Sequence, residues 1–320
     1  MSHHLPLLSA SAHGLSFDVS GGLIRVPSYT SRTITVANTR LQYLEVEPAH
    51  PSSGPPLLLL HQLLATAETL TELIERLPTD RRIVALDLLS AESLSGPLDM
   101  RSHSLALLVA QFAESVDLLE PIVIGHSHGG ALALWLATMP QVGVRGLVLL
   151  SPAHPFAGYR AHVVAFYLTR WGRFLALRIP LAPSRMILWA YNQAAGTGRI
   201  TLDHLKPHLR VLRNRSSLKR VLEILRTWES DMTEQRNTLN QTPILQPTLL
   251  LWGDHDYVAP IESATALKEH LQSWQQVTLP GVGHLLPEEA PDECASLITT
   301  WLSGLNPEET APPGNPPNPQ

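Results

Sequence analysis

Apolar residues in this chain come in short, nearly unbroken runs: LLLL at Leu57–Leu60, IVAL at Ile83–Leu86, IVI at Ile122–Ile124, LVLL at Leu147–Leu150 and LLLW at Leu249–Trp252. Each is bounded by proline, glycine or polar residues. Runs of this kind lack polar alternation, so both faces must be covered, as in a buried parallel strand. TITVANTRLQYLEVE, from Thr33, instead alternates and predicts two strands turning near Asn38, with Leu41, Tyr43 and Glu45 on one face. QQVTLP, from Gln275, predicts a last strand.

Between the runs, apolar positions recur at helical spacing. Examples are AETLTELIERL over Ala67–Leu77, SLALLVAQFAESVDLL from Ser104 (apolar nearly all round), ESATALKEHL from Glu262 and a closing helix near Pro291–Leu302. Strand and helix in turn, with short connections, predict a parallel sheet covered on both faces. From His154 to Gln241 the strand rhythm stops, and only helical runs appear, such as VVAFYLTRWGRFLAL and SLKRVLEILRTW. The expected fold is α/β: a mostly parallel central sheet with helices on both faces and a helical cap inserted after the sixth strand. We divide the chain into an N-terminal extension (1–30), a core (31–153 and 242–305), the cap (154–241) and a Pro-rich, disordered tail (306–320).

Composition changes this picture little. Hydrophobic residues make up 44% and the net charge is -5, which fits a globular core and gives no sign of nucleic-acid binding. No segment approaches the ~18 apolar residues of a spanning helix. The start, MSHHLPLLSASAHG, lacks the basic residues of a secretory signal, so a soluble, cytoplasmic protein is expected. The one cysteine, Cys294, excludes an internal disulfide and reads as a core residue of the closing helix. Charge is uneven: Phe156–Ser230 holds 13 Lys+Arg against 3 Asp+Glu, while the rest of the chain is acidic. The plain explanation is amphipathic helices with Arg and Lys in water. The sharper one is a lid making weak contact with anionic surfaces, without stable membrane insertion.

The candidate chemistry starts in PIVIGHSHGGALALWLA, from Pro121. Gly125-x-Ser127-x-Gly129 stands where a strand turns sharply into a helix. Glycine two residues either side of Ser127 lets neighbouring elements approach, and the helix N-terminus aims N–H groups at any anion forming there. By itself G-x-S-x-G arises by chance in about one chain of this length in ten, but its placement between an Ile/Val strand and an Ala/Leu helix is the required context. A serine needs a base and an orienting carboxylate. Of 15 histidines, His284 stands out in GVGHLLPEEAP, a Gly-bounded loop after the last strand. LLLWGDHDYVAP, after the preceding strand, offers two acids, Asp254 and Asp256. His61 and His126, at strand ends, read as loop-holding residues, and His128 could line the pocket. No His/Cys/Asp set has metal-ligand spacing, and no P-loop Lys is present.

With these motifs the chain resembles the α/β-hydrolase superfamily, in its capped serine esterase, haloperoxidase and C–C hydrolase branch. The likeness covers roughly Thr33 to Leu302 and rests on GHSHGG, LLLWGDHDYVAP and GVGH. It implies a triad of Ser127, Asp256 and His284, with Asp254 as a turn residue. It also implies an oxyanion hole from the backbone N–H groups of His128 and Leu63, and no cofactor or metal. His61-Gln62 departs from the family's His-Gly, so the loop carrying Leu63 is expected to differ, and DLLSAESLSG delays a turn glycine to Gly96. The expected function is a serine hydrolase that cleaves a carboxylic ester of a fairly hydrophobic small molecule through an acyl-enzyme. The alternatives are C–C bond hydrolysis or perhydrolysis with the same triad, and a non-catalytic ligand-binding protein on the same fold. Epoxide and haloalkane hydrolysis are disfavoured, because those relatives carry Asp where this chain has Ser127.

Overall fold

The computed structural model describes residues 16–17, 23–24, 29–48, 54–90, 99–157, 169–178 and 181–305. Its centre is an eight-stranded sheet: β1 (Thr30–Val36), β2 (Thr39–Val46), β3 (Leu57–Leu60), β4 (Ile83–Asp87), β5 (Ile122–His126), β6 (Gly146–Leu150), β7 (Thr248–Gly253) and β8 (Trp274–Leu279). The spatial order is β1-β2-β4-β3-β5-β6-β7-β8. β1 and β2 form an antiparallel hairpin turned by Ala37 and Asn38, at φ 47° and 62°. β2 also meets β4 antiparallel, and every pairing from β4 to β8 is parallel. β3 to β7 are buried along their whole lengths, as their unbroken apolar runs require. A separate two-residue antiparallel ladder joins Ser16–Phe17 to Leu23–Ile24.

The strand order reverses between β3 and β5. From β3 the chain crosses to β4 on one side, then to β5 on the other. Loops leaving the carboxyl ends of β3 and β5 therefore diverge and leave a crevice, the place where open α/β sheets bind ligands. Helices cover both faces. α1 (Thr71–Ile74) lies on one face with α9 (Leu286–Glu289) and α10 (Pro291–Gly304), around Leu73, Cys294, Ile298 and Trp301. α2 (Ser102–Ser115) and α3 (His128–Ala137) lie on the other, around Phe112, Leu132 and Trp135. Cys294 is fully buried, and burial pushes its thiol up to about 12, as a core residue rather than a nucleophile.

Between β6 and β7 stand α4 (Arg170–Ala176), α5 (Ser184–Ala195), α6 (Leu202–Arg213) and α7 (Arg215–Gln241). No strand occurs there among the described residues. α8 (Ala264–Lys268) follows β7.

Three helices differ from their local patterns. The run from Ala67 is a 3₁₀ turn (Ala67–Leu70) and then the short α1, because Thr69 and Thr71 hydroxyls donate back to the Thr66 and Glu68 carbonyls, both at 2.8 Å. α2 begins at Ser102, where the Asp231 carboxylate of α7 accepts the Ser102 N–H at 3.0 Å and supplies the missing cap. Its apolar residues do reach the solvent side, where Leu107 is 40% exposed. SLKRVLEILRTW proves to be the first part of the 27-residue α7. Most of the 1–30 extension, the 306–320 tail, Gly96, Phe166 and the start of VVAFYLTRWGRFLAL lie outside the described residues. Among the described residues, no helix is long and apolar enough to cross a membrane.

Candidate active site

The Ser127 backbone sits at φ 50° and ψ -115°, a region costing a non-glycine residue about 1–3 kcal/mol. Several hydrogen bonds hold it there. Its N–H donates to the Leu150 carbonyl at 3.0 Å, and its own carbonyl accepts from Gly130 and Ala153 N–H, each at 2.8 Å. The glycine spacing has a steric cause. A Cβ on Gly125 would lie 2.4 Å from the Gly129 carbonyl oxygen, and one on Gly129 would lie 2.1 Å from the Leu60 carbonyl oxygen. The elbow can pack against β3 only with both glycines.

His284 reaches this serine from the loop after β8. Its Nε2 lies 3.0 Å from Ser127 Oγ, and its Nδ1 lies 2.8 Å from Asp256 Oδ2. Asp256 comes from the loop after β7, and its Oδ1 accepts the N–H groups of Val258 and Ala259, both at 2.8 Å. Burial alone would raise the Asp256 carboxyl, but the nearby His284 and these hydrogen bonds outweigh it and hold the carboxyl below its ordinary range. An ionised Asp256 fixes the proton on Nδ1, so Nε2 is left to accept the Ser127 proton. Residues 127, 256 and 284 thus meet at one rim of the sheet. Asp254 is turned elsewhere: its Oδ1 accepts the Gly281 N–H at 2.6 Å and ties the two loops together.

Ser127 and His284 line a cavity of about 870 Å³. Its wall is mostly aliphatic and aromatic, with Leu63, Met186, Ile187, Leu212 and Trp228 among its residues. Leu63 and His128 also line it, and neither backbone N–H has a hydrogen-bond partner among the described residues.

The sequence profile described as "Alpha/beta hydrolase family" matches residues 57–297. The chain belongs to the alpha/beta hydrolase family. Mouse epoxide hydrolase 4 is 26% identical over 268 residues, 78% of this chain and 73% of that protein. Human monoacylglycerol lipase ABHD6 is 25% identical over 267 residues, 80% of this chain and 77% of that protein. Among solved structures, Cfl2 from Burkholderia cenocepacia aligns over 90% of this chain and 99% of its own, with a TM-score of 0.76 at 19% identity. That likeness is one of fold.

The remaining histidines of this hydrolase divide by what they touch. His61 Nδ1 donates to the Gln62 carbonyl at 2.7 Å, and its Nε2 accepts the Leu88 N–H at 3.0 Å. The Gln62 carbonyl and the Leu63 N–H belong to one peptide plane, so His61 orients that donor. One acceptor and one donor suit a neutral ring, and burial lowers the His61 pKa accordingly. His126 Nε2 donates to the His284 carbonyl at 2.8 Å, and burial lowers its pKa to about 3. His128 is buried against the Trp228 ring, 6.1 Å between centroids, and burial lowers its pKa to about 4. Gln62 is buried at the cavity wall, and the next residue but one, Leu64, takes φ 61°.

Residues missed in the sequence also hold the site. Glu289 accepts the N–H groups of Gly283 and Leu285, each at 3.0 Å, and so braces the loop on both sides of His284. His208, Tyr191 and Glu288 converge behind Leu64. The doubled acid in PEEAP, just after His284, was the available signal for the two glutamates. Among the described residues, no group of His, Cys, Asp and Glu side chains gathers as a metal site would need.

Proposed function

We propose that this hydrolase cleaves a carboxylic ester of a fairly hydrophobic small molecule through an acyl-enzyme. The observation that carries the reading is the Ser127–His284–Asp256 relay, at 3.0 and 2.8 Å, facing a largely apolar cavity of about 870 Å³. Such a cavity holds an acyl chain or an aromatic ring and offers few groups to bind a charge. Ser127 Oγ bonds to the carbonyl carbon as its proton passes to His284 Nε2, and the C=O electron pair moves onto oxygen. The N–H groups of Leu63 and His128 receive that oxyanion. Collapse breaks the C–O bond to the leaving alcohol, which takes the proton from His284. Water then attacks the acyl carbon, giving a proton to His284. The second collapse returns that proton to Ser127 and frees the acid. Epoxide opening does not suit this serine. Attack by a hydroxyl would leave an ether, which water cannot cleave as it cleaves the ester formed by an aspartate.

A panel of p-nitrophenyl esters of varied acyl length, with a fluorophosphonate probe, tests the reading. The native protein is expected to hydrolyse medium or long acyl esters and take up the probe, and Ser127→Ala to do neither. Labelling with uniformly slow ester turnover would point to C–C cleavage instead. No labelling of the native protein would point to a binding protein.

The reading includes a weak, salt-sensitive contact between the cap and an anionic surface. It is supported by Trp171 and Trp189, 76% and 67% exposed, and by the exposed Arg170, Arg178 and Arg185 on the same helices and turns. Sedimentation with phosphatidylglycerol vesicles should carry the protein down at low salt and release it at 0.5 M NaCl; equal binding to neutral vesicles would sink the idea.

A further inference from the structure

His208 lies on α6 with none of its surface exposed. Its Nδ1 is 3.0 Å from the Leu64 carbonyl oxygen and its Nε2 is 2.7 Å from Glu288 Oε1. With Glu288 ionised, both partners are acceptors. A neutral imidazole has one N–H and can serve only one of them, whereas an imidazolium serves both. His61 differs, since one of its partners donates. The Glu288 carboxylate is buried, and its Oε2 has no hydrogen-bond partner among the described residues. A buried ion pair adds little stability over apolar packing of the same volume, so its position matters more than its energy.

That position is between the two halves of the site. The Leu64 carbonyl lies one residue beyond Leu63, and Leu64 is held at φ 61°, in the left-handed region. Its carbonyl accepts from His208 and, at 3.5 Å, from the Tyr191 hydroxyl of α5. Glu288 lies on α9, four residues after His284. The loop carrying Leu63 is therefore gripped at the carbonyls of the residues on either side of Leu63: Gln62 by His61 within the core, and Leu64 by His208 from the helices between β6 and β7.

We propose that His208 is a positioning residue for the reaction: an imidazolium strapped to Glu288, it holds the Leu64 carbonyl and so keeps the Leu63 N–H aimed at the oxyanion. The inference rests on the ester-hydrolase reading above. Groups facing His208 are Glu288 on α9, Tyr191 on α5, and His61 and His126 within electrostatic reach. On its own helix, His204 and Arg210 pair outward with Glu72 and Glu68. Burial alone would lower the His208 pKa; the Glu288 charge, the hydrogen bond to it and the Leu64 carbonyl together raise it above the ordinary 6.5. The strap is therefore intact below its raised pKa and is lost as pH rises through it. Burial, then the Glu288 charge, also raises the Tyr191 hydroxyl, which stays a donor throughout.

Two replacements separate the two ring nitrogens. Asn places an amide N–H near the Nδ1 position, and Gln places one near Nε2. With the best ester of the panel, His208→Gln should lose about 10- to 100-fold in kcat with KM nearly unchanged, the signature of a misplaced transition-state donor. His208→Asn should recover most of kcat and lose the wild-type fall in kcat as pH rises through the raised His208 pKa. Glu288→Gln, which keeps an acceptor but removes the charge, should move that fall to lower pH. A purely structural role would lower the thermal midpoint of all three while folded enzyme kept its kcat and pH profile, and that result would overturn the proposal. If His208→Gln does not fold, an unmoved pH profile in Glu288→Gln overturns it. A native protein that neither takes up fluorophosphonate nor cleaves any ester would end the function reading instead, and this inference with it.

Discussion

Asp254 and Asp256 stand two residues apart in the same loop, and the structure gives them different work. Asp256 is buried, with one oxygen on His284 Nδ1 and the other on two backbone N–H groups. It can orient the imidazole and stabilise the cation formed when Ser127 gives up its proton. Asp254 is exposed and holds the Gly281 N–H and the His255 ring. Asp256→Asn would favour the wrong His284 tautomer, and kcat should fall by about 10⁴-fold. Asp254→Asn keeps an acceptor for Gly281 and should cost less than about tenfold. Steady-state kinetics of both variants on one ester decides it; the opposite ranking would mean that Asp254 orients the base in solution.

At the scale of elements, legibility followed the range of the forces involved. β3 to β7 are buried on both faces, and that condition writes itself into the sequence as unbroken Val, Ile and Leu runs. Ser127 and its two glycines were legible for a similar reason: the sharp turn sits between a strand and a helix that both announce themselves. Helix starts and lengths were less legible where a distant residue sets them. The α2 N-terminus takes its cap from Asp231, 129 residues along the chain. The strap at His208 was invisible for the same cause, its two acceptors lying 144 and 80 residues away. The loop after β3 was legible only as a departure. Gln62 led us to expect a different turn there, and that the turn is held from α5 and α6 follows from packing alone.

The whole molecule carries several histidines that must remain neutral to stay buried, and their sum sets its response to acid. Burial lowers His126 and His154 to about 3 and His128 to about 4, from an ordinary 6.5. In the unfolded chain each regains its ordinary value. Between pH 6.5 and about 4 the unfolded state therefore binds more protons than the folded one, and stability falls as pH falls, by up to about 1.4 kcal/mol per pH unit for each group. Asp256, held below its ordinary range, adds a loss of the same sign at lower pH, as it takes up a proton. His208 acts in the opposite sense: its raised pKa contributes stability that is fully present below 6.5 and lost as pH rises through that raised pKa. His61 is lowered by burial as well, and the His208 contribution stays constant below 6.5, so the urea midpoint should drop steadily from pH 6.5 to 4. His154, whose Nε2 lies 3.0 Å from the Ser263 hydroxyl and whose Nδ1 accepts the Phe156 N–H, reports on one such ring. His154→Gln should flatten the pH dependence by about one proton without altering the pH profile of ester hydrolysis. A urea midpoint constant between pH 6.5 and 4 would show that these rings are hydrated in the native protein, contrary to their burial.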